Sequence, residues 1–298
     1  MVTPSARRRA AGYLAKEWGL SQRKAAKVMG TCRGTLRYTP RAGKDDEALA
    51  ALMKRLAYRH PRYGLRRIEA LLRREGIRDN RKRLHRLWKA EGLGLRRTRR
   101  RRRKREPGEV WRKAEYPDHV WSYDFMEART VHGGKMRILN VLDEYTREYL
   151  WVRLERSMPA AKVVEVLEWL FITRGRPEYL RSDNGGEFVA KAVKEWLSAN
   201  GVGTIYIEPG SPWENAYVES FNGKFRDECL NANEFEGVRD AQEIANEWRR
   251  EYNEYRPHSS LGYRTPSEFA AEAARSPRAT PSAPLQPEDC SKVTLHLV

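Results

Sequence analysis

Apolar residues recur at helical spacing through the first part of the chain and at strand spacing through much of the second. In the first part we expect helices at about 7–18, 21–29 and 33–38, separated by glycine-containing turns. The last two, with Arg33 and Arg37 on the second, are typical of a helix-turn-helix. A small helical hairpin with solvated arginines fits the same pattern. A second helical unit is predicted from Asp45 to about Glu91, with breaks at His60-Pro61, Gly76 and Gly92.

The second part of the chain alternates between strand and helix patterns. Strands are predicted at 120–126, 136–142, 148–154, 178–182 and 203–207, and helices at 160–174, 190–200 and 212–229. Three strands joined by tight turns, followed by alternating helices and strands, predict an α/β fold with a mixed five-stranded sheet flanked by helices.

Two aspartates stand where a sheet builds a functional site. Asp124 lies in the strand 120–126, and strand alternation puts its side chain on the face opposite the aromatic residues at 121, 123 and 125. Asp183 directly follows the strand 178–182, and Gly185-Gly186 then permits a sharp departure of the chain. Carboxyl ends of strands are where open α/β sheets usually place their sites.

A third acid, Glu219, belongs to the predicted helix 212–229. Ser211, Pro212 and Glu214 form a helix-start signature of N-cap, first-turn proline and capping-box glutamate. Helical spacing then gives a polar stripe and an apolar stripe side by side. The polar stripe consists of Asn215, Glu219, Asn222 and Arg226, and the apolar stripe of Val218, Phe221, Phe225 and Cys229.

Three carboxylates brought together repel one another, and a hard, oxygen-seeking cation such as Mg²⁺ relieves that repulsion. Two such ions can activate an attacking oxygen and stabilise a leaving oxygen in a phosphodiester displacement. Four other acids are candidates for the site. The sequence places Asp143 and Glu144 in a turn, and Glu187 is either a supporting residue or a helix-start residue. Glu228 lies on the same predicted helix as Glu219, but helical phasing turns it away.

Charge is divided unevenly along the chain. Residues 1–116 hold 36 Lys and Arg against 11 Asp and Glu, and the remaining residues hold 22 against 29, so the first segment supplies all of the net +18. A basic segment ahead of a mildly acidic one favours binding of a polyanion, and improved solubility is the plainer alternative. The densest run is 96–105, read either as a solvated linker or as a linker that docks on DNA. Its predicted contact residues are Arg99, Arg100, Arg101, Arg102, Arg103, Lys104 and Arg105, and those of the helical unit before it are Arg81, Lys82 and Arg83.

Neither membrane insertion nor disulfide bonding is expected. No apolar run approaches the ~18 residues of a membrane span, and no signal-peptide core is present, so we expect an intracellular protein. Cys32, Cys229 and Cys290 are far apart and odd in number, which predicts reduced thiols.

Four stretches between Trp121 and Phe269 carry a family resemblance. WSYDF, LRSDNGGEF, GSPWENAYVESFNGKFRDECL and YNEYRPHSSLGYRTPSEF are long, ordered and correctly spaced. They resemble the retroviral-integrase-like superfamily, most closely the second, catalytic frame of insertion-sequence transposases made from two overlapping reading frames. The resemblance implies DNA strand transfer and a ribonuclease-H-like fold, in which the first and fourth strands are neighbours. It also implies that Asp124, Asp183 and Glu219 are ligands of two Mg²⁺ or Mn²⁺ ions.

The resemblance also sets expectations about partners and location. It implies double-stranded DNA as substrate, a homo-oligomer on DNA, a first-reading-frame partner protein, and a bacterial cytoplasmic, nucleoid-associated location without a membrane. The chain lacks the clustered His and Cys residues of the zinc module that precedes retroviral integrase cores. A structure-selective nuclease of the same fold, and a catalytically inactive DNA-binding repressor, remain as alternatives.

On this basis the chain divides into six segments. They are a helix-turn-helix at 1–44, a second helical DNA-binding module at 45–95, a basic linker at 96–116, the catalytic core at 117–230, its C-terminal helical part at 231–270 and a flexible tail at 271–298. Lys224, Arg226 and Asn222 are predicted to contact DNA near the acids. His258 is expected to have a structural role in its loop, because a metal-activated oxygen needs no histidine base.

Overall fold

The chain forms two compact units. A computed structural model describes residues 3–38, 45–95, 113–182, 187–206 and 216–275, except for the side chains of 187–190 and 216. One unit comprises Met1–Lys54 and the other Arg55–Val298, so the boundary falls inside the fourth helix.

The first unit contains three short helices, α1 (Pro4–Glu17), α2 (Gln22–Val28) and α3 (Arg33–Arg37). The Ser21 hydroxyl accepts the backbone N–H of Lys24 at 3.4 Å and caps α2. Alanines at 11, 25 and 26 are buried where the three helices pack on one another. Arg33 and Arg37 are exposed on α3.

Helices α4 (Asp46–Arg59), α5 (Leu65–Arg74) and α6 (Arg81–Ala90) match the predicted second helical unit and its breaks. Each of α5 and α6 buries one apolar face, formed by Ile68, Leu71 and Leu72 on α5 and by Leu84, Leu87 and Trp88 on α6. Glu69 on α5 accepts Arg81 Nε of α6 at 2.8 Å, and this ion pair ties the two helices together.

The second unit is built on the predicted five-stranded mixed sheet. Its strands are β1 (Val120–Arg129), β2 (Lys135–Asp143), β3 (Tyr149–Glu155), β4 (Tyr179–Ser182) and β5 (Gly203–Tyr206), in the order β3-β2-β1-β4-β5. The strands β1, β2 and β3 pair antiparallel, whereas β4 runs parallel to both β1 and β5. This order is that of the ribonuclease-H-like fold, and it confirms that the first and fourth strands are neighbours.

Helices cover both faces of this sheet. Helices α7 (Ala160–Arg174) and α8 (Glu187–Ala199) pack on one face, where Trp121, Tyr123 and Leu139 are buried. Helices α9 (Ala216–Phe225) and α10 (Val238–Glu254) pack on the other, against Met126, Ile138 and neighbouring side chains of β2 and β3. The apolar stripe of α9 is confirmed, because Val218, Phe221, Phe225 and Cys229 are each at most 1% exposed.

Three predicted boundaries are corrected. The predicted helix 212–229 is α-helical only as far as Phe225, and a π-helical turn, Arg226–Leu230, follows it. The predicted start of this helix lies outside the described residues. Helix α8 begins at Glu187 rather than at 190. The predicted tail starts too early: helix α11 (Pro266–Ala274) includes 271–274, because Thr265 and Glu268 form a reciprocal capping box ahead of an alanine-rich run.

Across the described ranges, no helix is both long enough and apolar enough to cross a membrane. Cys32 and Cys229 are free thiols, as expected, and Cys290 lies outside the described part of the chain.

Candidate active site

Asp124 lies in the middle of β1 on the sheet face that α9 and α10 cover. Strand alternation places it between the buried Ser122 and Met126 and opposite Trp121 and Tyr123, as the sequence predicts. The carboxylate is half-buried, and its Oδ1 accepts the backbone N–H of Phe125 at 2.8 Å. Because a carboxylate so placed keeps part of its surface open, it can still bind a ligand.

A chain of hydrogen bonds holds the other oxygen of Asp124. Asn222 of α9 donates its Nδ2 to Asp124 Oδ2 at 2.6 Å. Asn140, the partner of Asp124 in the β1–β2 register, donates its Nδ2 to Asn222 Oδ1 at 2.8 Å. Tyr149 of β3 in turn donates its hydroxyl to Asn140 Oδ1 at 2.5 Å. We call the chain formed by Tyr149, Asn140 and Asn222 the Asp124 relay.

The direction of every bond in the Asp124 relay follows from its two ends. An ionised carboxylate only accepts hydrogen bonds, so Asn222 must turn its amide nitrogen toward Asp124 and its oxygen toward Asn140. Asn140 must then present its own oxygen to Tyr149. Burial raises the pKa of Tyr149 well above its ordinary value, so the hydroxyl keeps its proton and remains a donor. Asn140 and Tyr149 are 0% exposed, so water does not compete for these bonds.

Glu219 and Arg226 are exposed on the polar stripe that also carries Asn222. The shared helix thus links Glu219 to the hydrogen bond between Asn222 and Asp124. The parallel register pairs Ser122 with Arg181, and β4 ends at Ser182, one residue before Asp183. Asp183 itself lies outside the described residues, as does Asn215.

The acids at the end of β2 have structural partners, in agreement with the predicted turn. Asp143 is fully buried and accepts the backbone N–H groups of Asp118 and Tyr145 at 2.8 and 2.7 Å. Glu144 forms a buried ion pair with Arg181 at 2.9 Å. Desolvation by burial raises the pKa of both carboxyl groups to about 7. Glu187 is the first residue of α8, as the helix-start reading requires, but its side chain is not described.

Glu228 is held by two arginines in the π-helical turn after α9. Its carboxylate accepts Arg256 Nε at 2.6 Å and Nη2 at 2.5 Å, and Arg67 Nη1 lies 3.5 Å away. The Arg256 side chain is 2% exposed and that of Glu228 10%. Helical phasing turns Glu228 away from Glu219, and this buried pair gives it a structural role.

Lys224 and His258 lie on a different side of α9 from Glu219. Five residues along an α-helix correspond to a rotation of about 140°, so Lys224 faces away from Glu219. Burial, together with Arg256 and Arg67, lowers the pKa of Lys224 to about 8. Burial also lowers the pKa of His258 to about 2, so the ring is neutral. The ring packs edge-on against Tyr252, with the two ring centroids 4.6 Å apart. This environment agrees with the structural role expected for His258.

The predicted DNA-contact residues of the helical units occupy accessible positions. Arg81 and Lys82 are exposed at the start of α6, although Arg81 also pairs with Glu69. Arg83 is half-buried and forms an ion pair with Asp79. The predicted contacts at 99–105 lie outside the described residues.

Sequence reasoning missed Asn140 and Tyr149. The available signal was an asparagine inside the apolar run 138–142, since an amide at a buried strand position requires hydrogen-bond partners. In the described part of the chain, no three His, Cys, Asp or Glu side chains form a metal-binding group. A complete triad therefore depends on Asp183.

Family models match the helical part of the chain and its sheet-containing part separately. Models described as "Integrase core domain" match residues 114–212 and 200–266, which span the sheet and the helices α9 and α10. A model described as "HTH-like domain" matches residues 44–104, which include α4, α5 and α6. Both kinds of module bind DNA, so the chain is a DNA-binding protein.

Individual proteins are also similar to this chain. The uncharacterized 31.7 kDa protein of insertion element IS407 from Burkholderia multivorans is 40% identical over 265 residues, covering 89% of this chain and 94% of that protein. The transposase for insertion sequence element IS904 from Lactococcus lactis is 27% identical, covering 76% of this chain and 94% of the relative. A simian T-cell lymphotropic virus intasome, solved in complex with the PP2A regulatory subunit B56 gamma, aligns with a TM-score of 0.47 at 17% identity, over 79% of this chain and 78% of that chain. The extent and identity of the first of these matches, with the integrase core models, show that the chain belongs to the insertion-element transposases with an integrase core domain.

Proposed function

We propose that this chain cuts DNA at the ends of an insertion element and joins the freed 3′-hydroxyl to another strand. The observation that carries the proposal is the 2.6 Å hydrogen bond from Asn222 to Asp124, since it links β1 to the helix that bears Glu219. Both steps are in-line displacements at phosphorus, so one site can serve for both.

The integrase core family works with a divalent metal ion. We propose that Asp124, Asp183 and Glu219 hold two Mg²⁺ ions here, with Mn²⁺ as a substitute. The donors fit such ions, because carboxylate oxygens are hard ligands and Asn222 orients one oxygen of Asp124 without adding a softer donor. Bound metal would supply charge stabilisation at the attacking and leaving oxygens. The proposal for Asp183 rests on its sequence position directly after β4.

Three further residues, on α9, on the π-helical turn after it and in the loop after α10, have defined roles in this proposal. Asn222 fixes the rotamer of Asp124, and Arg226, exposed on the same stripe as Glu219, contacts a DNA phosphate. His258 is neutral and buried, so it does not act as the base.

DNA contacts further from the site are also proposed. Arg33 and Arg37 of α3 and Arg81, Lys82 and Arg83 of α6 contact DNA, first through phosphates. We further propose that the chain works as a homo-oligomer on DNA, with a first-reading-frame partner protein, at the bacterial nucleoid. The boundaries 1–44, 45–95 and 96–116 remain our division of the basic part of the chain.

Neutralising the basic run 96–105 is expected to weaken DNA binding. It holds nine Lys and Arg residues. With all nine replaced by alanine, we expect affinity for duplex DNA to fall by more than about tenfold at low salt, because fewer counterions are released on binding. Affinity measured at several salt concentrations should also give a shallower salt dependence. An unchanged affinity and an unchanged slope would contradict this role.

Substitution of Tyr149 by phenylalanine is expected to loosen Asp124. Loss of the hydroxyl leaves Asn140 Oδ1 without its donor, so the amides of the Asp124 relay can turn. We expect the Mg²⁺ concentration for half-maximal activity to rise by up to about tenfold, at the lower end of the range for residues that support metal ligands.

The matched control for this substitution is Tyr252→Phe. Tyr252 is buried among the same rings, and its hydroxyl is not part of the Asp124 relay. Its loss should leave the Mg²⁺ requirement unchanged. Equal shifts in both variants would indicate a general effect of core packing and would contradict the positioning role.

The proposed function is tested by incubating the protein with Mg²⁺ and duplexes that carry the terminal sequences flanking its gene. We expect new covalent joints between the 3′ ends of the element and a second duplex. Cleavage without joining would favour the structure-selective nuclease. Binding without cleavage, in Mg²⁺ and in Mn²⁺, would favour the inactive DNA-binding repressor.

A further inference from the structure

A cavity of about 430 Å³ lies on the flank of α9 away from Glu219. Its walls come from β1 and β2, from α9 and from the loop after α10. Ser220, Ser259 and Ser260 are exposed at its mouth, and Lys224 and His258 line it further in. We call this cavity the Lys224 pocket.

Buried polar atoms line the Lys224 pocket without partners among the described residues. They are Ser122 Oγ, Arg147 Nη1 and His258 Nε2; the Glu144 oxygens also lack a hydrogen bond, but Glu144 is in an ion pair with Arg181. Ser122 is only 1% exposed and His258 only 3% exposed. Buried polar atoms without hydrogen-bond partners are unfavourable, so three of them at one cavity indicate a polar occupant.

Lys224 and Arg147 are the two cations that line the Lys224 pocket, and the acids Asp143 and Glu144 line it as well. Within the described ranges, no carboxylate lies within ion-pairing distance of Lys224 or Arg147. The Arg147 guanidinium instead stacks 3.7 Å from the centre of the Tyr217 ring. The acid Glu144 in the wall is already paired with Arg181. Arg147, Arg67 and Arg256 repel the charged form of Lys224, so an anion would relieve repulsion between cations.

The pocket adjoins a second basic surface. An open groove of about 1040 Å³ runs along α5 and α6 and is lined by Arg66, Arg67, Arg81 and Lys82. Ser259 lines both this groove and the Lys224 pocket. A single polyanion can therefore follow the groove and place one of its charges in the pocket.

We propose that the Lys224 pocket binds a backbone phosphate of the DNA substrate. Lys224 and Arg147 pair with the phosphate oxygens, and the hydroxyls of Ser259 and Ser260 donate hydrogen bonds to them at the mouth. This phosphate is distinct from the one that reacts, because Lys224 faces away from Glu219 on α9. The proposal rests on DNA being the substrate and adds a second anchoring point beyond the acidic site.

The salt dependence of DNA binding tests the proposal. A fluorescent duplex of fixed sequence is titrated with the full chain carrying either Lys224 or Lys224→Met. One lost phosphate contact lowers the slope of log affinity against log salt by about 0.9, so the affinity ratio should fall about 3- to 4-fold between 50 and 200 mM salt. Lys224→Arg, which keeps the charge, should retain the wild-type slope.

Lys162→Met is the control, since Lys162 lies on α7 at the opposite face of the sheet and pairs with Glu165. It should leave the slope unchanged. The proposal would be overturned if Lys224→Met kept the wild-type slope, or if Lys162→Met lowered the slope as much as Lys224→Met does. Joining activity in wild type would still support the transposase function in that case, so the two failures are distinguishable.

A substitution at the exposed mouth of the Lys224 pocket tests the proposal without changing a buried side chain. Ser260→Asp places a negative charge where the phosphate enters and should weaken DNA binding by more than about threefold at low salt, whereas Ser260→Asn should not. Equal affinities for the two variants would contradict the proposal.

The pH dependence supplies an independent readout. Lys224 carries its charge below its pKa of about 8 and loses it as the pH rises, so wild-type affinity should fall between about pH 7.5 and about pH 9. Lys224→Arg should show no such fall, and matching profiles in the two proteins would contradict the proposal. The other charged or titratable groups that face Lys224 or line the pocket are Arg67, Arg147, Arg256, Glu228, Asp143, Glu144, Tyr217, Tyr252 and His258. The arginines stay protonated and His258 stays neutral throughout this range, and the acids are shared by both proteins.

Discussion

Substitution of Asp124 by asparagine is expected to reduce strand joining by more than about 100-fold, since losing even a partner of a metal ligand costs about 10- to 100-fold. Asparagine keeps the size of the side chain but removes the negative charge that a cation requires. It also leaves the Asn222 amide facing a neutral group in place of a carboxylate. The joining rate is measured in single turnover with saturating Mg²⁺, and DNA binding is measured separately and should be retained.

Glu127→Gln is the matched control for Asp124→Asn. Glu127 lies on the same strand, is exposed, and points to the opposite face of the sheet. Its loss should leave joining unchanged, whereas Glu219→Gln should behave like Asp124→Asn. Joining at near wild-type rates in Asp124→Asn would show that Asp124 is not a ligand.

Substitution of Glu228 by glutamine is expected to destabilise the second unit by about 3–5 kcal/mol. The change removes the charge that compensates Arg256, whose side chain is 2% exposed, and it also leaves Arg67 without its acid. An uncompensated buried charge costs more than the pair itself contributes. Urea unfolding followed by tryptophan fluorescence measures the free energy of unfolding.

The control for Glu228→Gln is Glu243→Gln on α10. Glu243 pairs with Arg239 at 3.3 Å, but both side chains are largely exposed. Its loss should change the free energy of unfolding by no more than about 0.5 kcal/mol, as is usual for a surface pair. Equal losses of stability in both variants would contradict the structural role of the buried pair.

The sheet and the stripes of α9 could be predicted because they follow from local spacing. Alternation along β1 put Asp124 on the face opposite Trp121, and helical spacing put Glu219 and Asn222 on one stripe. Both patterns depend only on residues within a few positions of each other. The expectation that β1 and β4 are adjacent came from the family resemblance, because strand spacing alone does not determine strand order.

The features that sequence reasoning missed depend on contacts between distant residues. Tyr149, Asn140 and Asn222 come from β3, β2 and α9, and no local pattern connects them. The ion pair of Glu228 likewise joins residues 28 positions apart. Helical phasing excluded Glu228 from the site, but it could not show that Arg256 would hold it.

The same limit applies to Lys224. Its position five residues after Glu219 first indicated a DNA contact beside the acids. The fold turns it to the other flank of α9, into a cavity that the sequence does not reveal. A DNA contact therefore remains our proposal for Lys224, but at a phosphate other than the reacting one.

Metal binding is the most direct test of whether Asp124 and Glu219 hold the divalent metal ions of strand transfer. Electron paramagnetic resonance measures the free Mn²⁺ that remains when the full chain is titrated in the presence of duplex DNA. We expect the wild-type protein to bind Mn²⁺, and we expect Asp124→Asn and Glu219→Gln each to weaken this binding by more than about tenfold. Equal Mn²⁺ binding by the wild-type protein and both variants would contradict this expectation.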